Sequence, residues 1–143
     1  MAEKKTGKYI RTGVTSPSNH PELTSPILSM KSDADFGNLN FSIAWEPITQ
    51  PFQMLSDNHK HDFDQFLCFL GGDPRNALDL NGEVELTLSE DGVNMETHTF
   101  TTATTVFVPK GLYHAPLNFK RVDKPMVFIN MYFAAEYKRA EGS

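Results

Sequence analysis

From about residue 26 onward the chain alternates short runs of apolar and polar residues with turn formers, and no window of a dozen residues carries an apolar stripe at helical spacing. Val84, Leu86 and Leu88 share one parity in GEVELTL, with Glu83, Glu85 and Thr87 between them, as a strand with one buried face requires. Leu39, Phe41, Ile43 and Trp45 share a parity in the same way, which predicts a half-buried strand with Phe41 and Trp45 in the core. Further strands are expected in QFLCFL (65–70), NMETHTF (94–100), TTVFVP (104–109) and MVFINMYF (126–133). Asp91-Gly92 signals a hairpin after GEVELTL. Only AAEYKRAE (134–141) suits closing helical turns. A chain of 143 residues, 39% hydrophobic, suits one domain with one core. The expectation is therefore an all-β sandwich or barrel over 26–143.

The charge is unevenly placed. Residues 1–20 carry Lys4, Lys5, Lys8 and Arg11 against Glu3, so the body of the chain is more acidic than the net −5 suggests. That balance argues against general nucleic-acid binding. The segment 1–25 reads either as a flexible tail or as an extended N-terminal arm, with Tyr9, Ile10 and Val14 able to add a strand to a partner subunit. No stretch approaches the ~20 apolar residues of a membrane span. The opening MAEKKTGKYIRTG lacks the apolar core of a secretory signal, so a cytoplasmic chain is expected. A single cysteine makes neither an internal disulfide nor a cysteine-based zinc site, and Cys68 within FLCFL reads as a buried, inert thiol. LGGDP has glycines but lacks the spacing and the lysine of a phosphate loop.

Five histidines remain, and their places are informative. His59 and His61 lie two apart, so on an extended segment both imidazoles leave from one face and can converge on one ion. The plain alternative is a surface pair with no ligand role. About fifty residues on, VFVPKGLYHAPLNF places the turn formers Pro109 and Gly111 just before His114, which would begin a new strand. His20 and His98 read as surface residues. Asp62 and Asp64 beside the pair suit turn acceptors for backbone amides, or carboxylate partners of an ion.

Together the two stretches resemble the cupin superfamily. Its first motif is a histidine-x-histidine pair followed by a glutamate and a glycine, and its second runs proline, glycine, histidine, asparagine. His59, His61 and Gly72 match the first, with Gln65 where the family has glutamate; Pro109, Gly111, His114 and Asn118 match the second. The likeness spans roughly residues 36–133. The leading glycine of each motif is replaced, by Gln53 and Ala103. The strand after Gly72 is expected only beyond Gly82, with GDPRNALDLN as an insertion holding turns at Asp73-Pro74 and Asn81-Gly82.

The resemblance implies a cupin-type jelly-roll β-barrel and one divalent ion per chain, held by His59, His61, His114 and Gln65. Gln65 is either a ligand or a hydrogen-bond partner of what binds there. Such a site keeps nearly the full +2 charge of its ion and favours anionic, chelating ligands. Imidazole with an amide oxygen suits manganese, iron, nickel or zinc. Cupin pockets lie inside the barrel, so the implied substrate pocket is Phe63, Leu67, Phe69, Tyr113, Phe128, Asn130 and Tyr132. On the last strand the opposite face, Val127, Ile129 and Met131, is the alternative core. The implied function is a metal-dependent enzyme acting on a small anionic or enolisable molecule, an oxidoreductase of dioxygenase type or an isomerase or lyase. The alternatives are a non-catalytic binding or sensor module and a metal-free epimerase-like cupin. Open sheet edges make a homodimer the expected assembly.

Overall fold

The computed structural model describes residues 5–24 and 26–134. The helical turns expected from AAEYKRAE fall, all but Ala134, outside the described residues. Ten strands run in chain order: β1 (Thr15–Ser16), β2 (Ile27–Lys31), β3 (Ser42–Ile48), β4 (Phe52–Leu55), β5 (Gln65–Gly71), β6 (Asp79–Ser89), β7 (Glu96–Thr102), β8 (Thr104–Val108), β9 (Tyr113–Val122) and β10 (Met126–Tyr132). They form a six-stranded sheet in the order β1-β2-β3-β10-β5-β8 and a four-stranded sheet in the order β4-β9-β6-β7. Every pairing is antiparallel. This is the all-β architecture that the strand spacing predicts, in the jelly-roll form that the resemblance implies. β1, β2 and β4 are too short or too mixed in composition to read from sequence.

The core forms between the two sheets around Ile48, Phe69, Leu80, Val84, Leu86, Leu117, Phe119 and Met126. Phe69 lies at its centre, stacked 4.9 Å from Phe128 and tilted against Phe100 at 5.1 Å. β3 departs from the sequence reading. Its inward residues are Ser42, Ala44, Glu46 and Ile48, set by register opposite Tyr132, Asn130, Phe128 and Met126 of β10. Ile43, Trp45 and Pro47 therefore point outward, and Leu39 lies before the strand with 74% exposure. Trp45 lines an outer groove with Leu28 and Val127 instead of entering the core. Apolar parity misleads here because the interior beside β3 is a partly polar hollow, so the more apolar face of the strand is the outer one.

The connection after β5 is also tighter than expected. Asp73 accepts a hydrogen bond from the Arg75 amide (2.9 Å) and caps a single 3-10 turn, Pro74–Asn76. β6 then begins at Asp79, ahead of Gly82. Asn81-Gly82 is an irregularity inside that strand, with Asn81 at φ 50°, rather than a turn. Gly72 is fixed by a close approach: a Cβ there would lie 2.3 Å from the Pro125 carbonyl oxygen. Gly72→Ala is expected to lower stability by about 1–3 kcal/mol, seen as a lower urea midpoint at unchanged slope. An unchanged midpoint would remove steric contact as the reason for this glycine.

The described part of the basic N-terminal segment lies along β2 of its own chain. Arg11 pairs with Asp33 at 2.9 Å and covers the Phe36 ring. The Ser16 and Ser29 hydroxyls meet at 2.7 Å where β1 joins β2.

Candidate metal centre and cavity

His59 and His61 sit in the connection between β4 and β5, which is extended but forms no regular strand. Two-residue alternation still holds there because backbone bonds tie it to the other motif. The Gly111 amide donates to the His61 carbonyl (2.9 Å), and the His114 amide donates to the His59 carbonyl (3.1 Å). Asp64 reinforces the tie by accepting from the Lys110 amide (2.9 Å), so it is a turn acceptor that joins both motifs. Asp62 is exposed.

These bonds bring three buried imidazoles together. Their ring centroids lie 5.0 Å (His59–His61), 4.4 Å (His59–His114) and 4.9 Å (His61–His114) apart. One ring nitrogen from each falls within 4.8 Å of the others, close enough to share an ion. His59 Nδ1 is 3.3 Å from the Asp57 carbonyl and His114 Nδ1 is 3.0 Å from the Leu112 carbonyl. A carbonyl at Nδ1 selects the tautomer with its proton there, which leaves Nε2 as the ligating atom. The His61 ring is held by Phe63, stacked at 4.7 Å.

Gln65 opens β5 with 1% exposure, and its Oε1 is buried with no hydrogen-bond partner among the described residues. A buried amide oxygen without a partner costs about 1–3 kcal/mol, a cost relieved by anything electropositive that binds there. Three buried imidazoles, two of them with the tautomer set by a backbone carbonyl, and an uncommitted amide oxygen fit a divalent ion.

Gln65 and His114 line a cavity of about 220 Å³ with Leu67, Phe128, Asn130 and Tyr132. The inward face of β10 is therefore the one carrying Phe128, Asn130 and Tyr132. Three expected pocket residues are placed elsewhere. Phe69 is fully buried in the core beneath the cavity, and Phe63 props His61. Tyr113 takes the parity opposite to His114 and packs over Gly92, with Lys60 above its ring. Cys68 is buried as expected, and burial pushes its thiol up. His98 is exposed on β7, whereas His20 is half-buried and belongs to the cavity wall with Ser16, Pro17, Ser18 and Asn19.

One of the cavity residues that the sequence reading does not anticipate is an acid. Glu46 projects into the same space from β3. Burial pushes its carboxyl up to about 7. Burial also raises the Tyr132 phenol; the Ser42 hydroxyl offsets that shift in part, and the Glu46 charge adds to it.

No protein-family model matches the sequence, and no curated protein does. Solved structures do match. The oxalate decarboxylase of Lactobacillus farciminis, as a formate complex, superposes with a TM-score of 0.59 at 13% identity, covering 88% of this chain and 33% of that one. An oxalate oxidase with the substrate analogue glycolate gives 0.58 at 12% identity, covering 90% and 60%. The Bacillus subtilis oxalate decarboxylase, studied for its Mn(II) centres, gives 0.55 at 15% identity, covering 80% and 27%. The chain thus spans less than two thirds of the length of each of these structures. Its architecture is that of the cupin jelly roll, as the two motifs imply.

Proposed function

We propose that this cupin-fold chain is a metal-dependent enzyme. In this reading His59, His61, His114 and Gln65 hold one divalent ion, and a small anionic or enolisable molecule binds beside it. The observation that carries the reading is the buried trio of imidazoles, of which His114 shares a cavity wall with Gln65 and its uncommitted oxygen. All four donors are neutral, so the site adds no negative charge to oppose an anionic ligand. A bound ion would supply Lewis-acid polarisation of the ligand's oxygens, or redox chemistry with a redox-active metal. Manganese fits the donor set, as do iron, nickel and zinc. The Mn(II) centres of one structural neighbour support the first of these.

The chain's own residues define the rest of the site. The cavity, at about 220 Å³, lies below the ~300–1,000 Å³ of drug-sized pockets, so the ligand is a small metabolite. Asn130 Oδ1 is buried without a partner among the described residues and is placed to orient a ligand donor. Leu67, Leu117 and Phe128 exclude water around it. The chemistry then belongs to the dioxygenase or the isomerase and lyase classes.

Chelator-stripped protein reloaded separately with manganese, iron, nickel and zinc tests this by elemental analysis and calorimetric titration. About one ion per chain is expected, and Gln65→Ala should weaken uptake by at least the ~10–100-fold that loss of a supporting residue costs. Failure to take up any of the four ions would overturn the reading. Unchanged uptake in Gln65→Ala would make that amide a contact for the ligand instead.

A further inference from the structure

Three inward rows cross β3, β10 and β5: Ser42, Tyr132 and Gln65; then Ala44, Asn130 and Leu67; then Glu46, Phe128 and Phe69. Glu46 is thus the acidic member of a row whose other two residues are aromatic core. The row above it has only an alanine methyl on β3, which leaves the hollow between Glu46 and the Gln65 end of the cavity. Among the described residues, no hydrogen bond or ion pair satisfies this carboxyl. A half-buried carboxyl facing a cavity without a partner adds nothing to the packing and is costly in its charged form, so packing does not explain it. The groups lining the cavity with it are Tyr132 from β10, His114 from β9, Lys31 from β2 and His20 from the N-terminal segment.

We propose that Glu46 is the catalytic base of this cavity, taking a proton from the carbon next to a carbonyl of the bound molecule. The inference rests on reading the cavity as the site of a small enolisable ligand. In the step, the C–H bond breaks and its electron pair moves into the enolate. The proton forms an O–H bond with the Glu46 carboxylate. Return of a proton from the Glu46 carboxyl restores the starting state, so the net observable is exchange of that hydrogen with solvent. No oxidant or reductant is consumed. A general base works best when its pKa lies near the working pH, and burial sets Glu46 there, at about 7. Carboxylate and carboxyl forms are then both populated near neutrality.

The test follows hydrogen–deuterium exchange by NMR at the carbon acids pentane-2,4-dione, pyruvate and oxaloacetate. The metal-loaded native chain is compared with Glu46→Gln. The native protein should accelerate exchange of at least one probe, with a rate that rises through about pH 7. Glu46→Gln should lose about 10²–10⁴-fold of that acceleration and its pH dependence, while metal content and thermal midpoint stay unchanged. Infrared difference spectra of the metal-free chain give a second readout, a carboxyl C=O band titrating near neutrality and missing from the variant. Native protein that accelerates none of the probes would overturn the proposal, as would a variant that exchanges normally. Loss of metal from Glu46→Gln would overturn it too, since Glu46 would then serve the ion. Absence of metal uptake by the native chain instead counts against the metal reading, and is read separately by elemental analysis.

Discussion

Replacing His61 with alanine is expected to yield a folded chain that no longer takes up a divalent ion. The backbone bond from Gly111 to the His61 carbonyl does not involve the side chain, so the two motif loops stay tied. What disappears is one of three converging imidazoles and the face on which Phe63 stacks. Altering residues that merely support a ligand costs about 10–100-fold in metal affinity, and loss of a ligand exceeds that. Metal at 100 times its dissociation constant stabilises a folded protein by about 2.7 kcal/mol. The native chain should therefore melt at a higher temperature with metal than without it, and the His61→Ala midpoint should ignore metal altogether. A variant that keeps its ion and its metal-dependent midpoint would remove His61 from the site.

Phe69→Ala has the largest expected effect on stability. The ring is fully buried and packs against Phe128, Phe100 and Phe119. Truncating a core phenylalanine costs about 3–5 kcal/mol, against a total of about 5–15 kcal/mol for a typical domain. Urea denaturation should show a large fall in midpoint, or a chain that does not fold at 25 °C. The same substitution separates two roles for this residue. A wall of a ligand cavity would lose its side chain cheaply, because that space is already open on one side; a loss below about 1 kcal/mol would return Phe69 to the pocket.

The histidine trio was readable because its information is local. A two-residue spacing and a Pro-x-Gly turn before His114 specify geometry within a few residues, and the backbone ties then follow from pairing of the two motifs. The four pocket residues Leu67, Phe128, Asn130 and Tyr132 were readable by alternation from Gln65 and along β10. Tyr113 failed the same test, since its neighbour His114 already occupies the inward parity. Phe69 follows the alternation and shares a row with Glu46 and Phe128, but Phe100, Phe119 and Phe128 cover its ring, and that covering comes largely from the opposing sheet.

Glu46 was illegible for a different reason. In FSIAWEPI an acidic residue among apolar ones reads as the solvent side of a strand. Only the register with β10, some eighty residues away, turns it inward. The same register expels Trp45. A barrel that encloses a partly polar hollow inverts the usual rule for choosing a strand's inner face, and apolar content alone then selects the wrong one.

The stretch Ser16–His20 contributes to the cavity wall while the chain before it is held by Arg11 on Asp33. What reads in composition as a flexible tail or an arm to a partner therefore supplies, at residues 16–20, part of the cavity wall. Trimming residues 16–20 is expected to open the cavity wall and admit more water around the half-buried Glu46 carboxyl. Its affinity for a proton would then fall back toward that of an ordinary glutamate. Access to the cavity and the proton affinity of Glu46 are therefore expected to depend on residues 16–20, well outside either histidine motif.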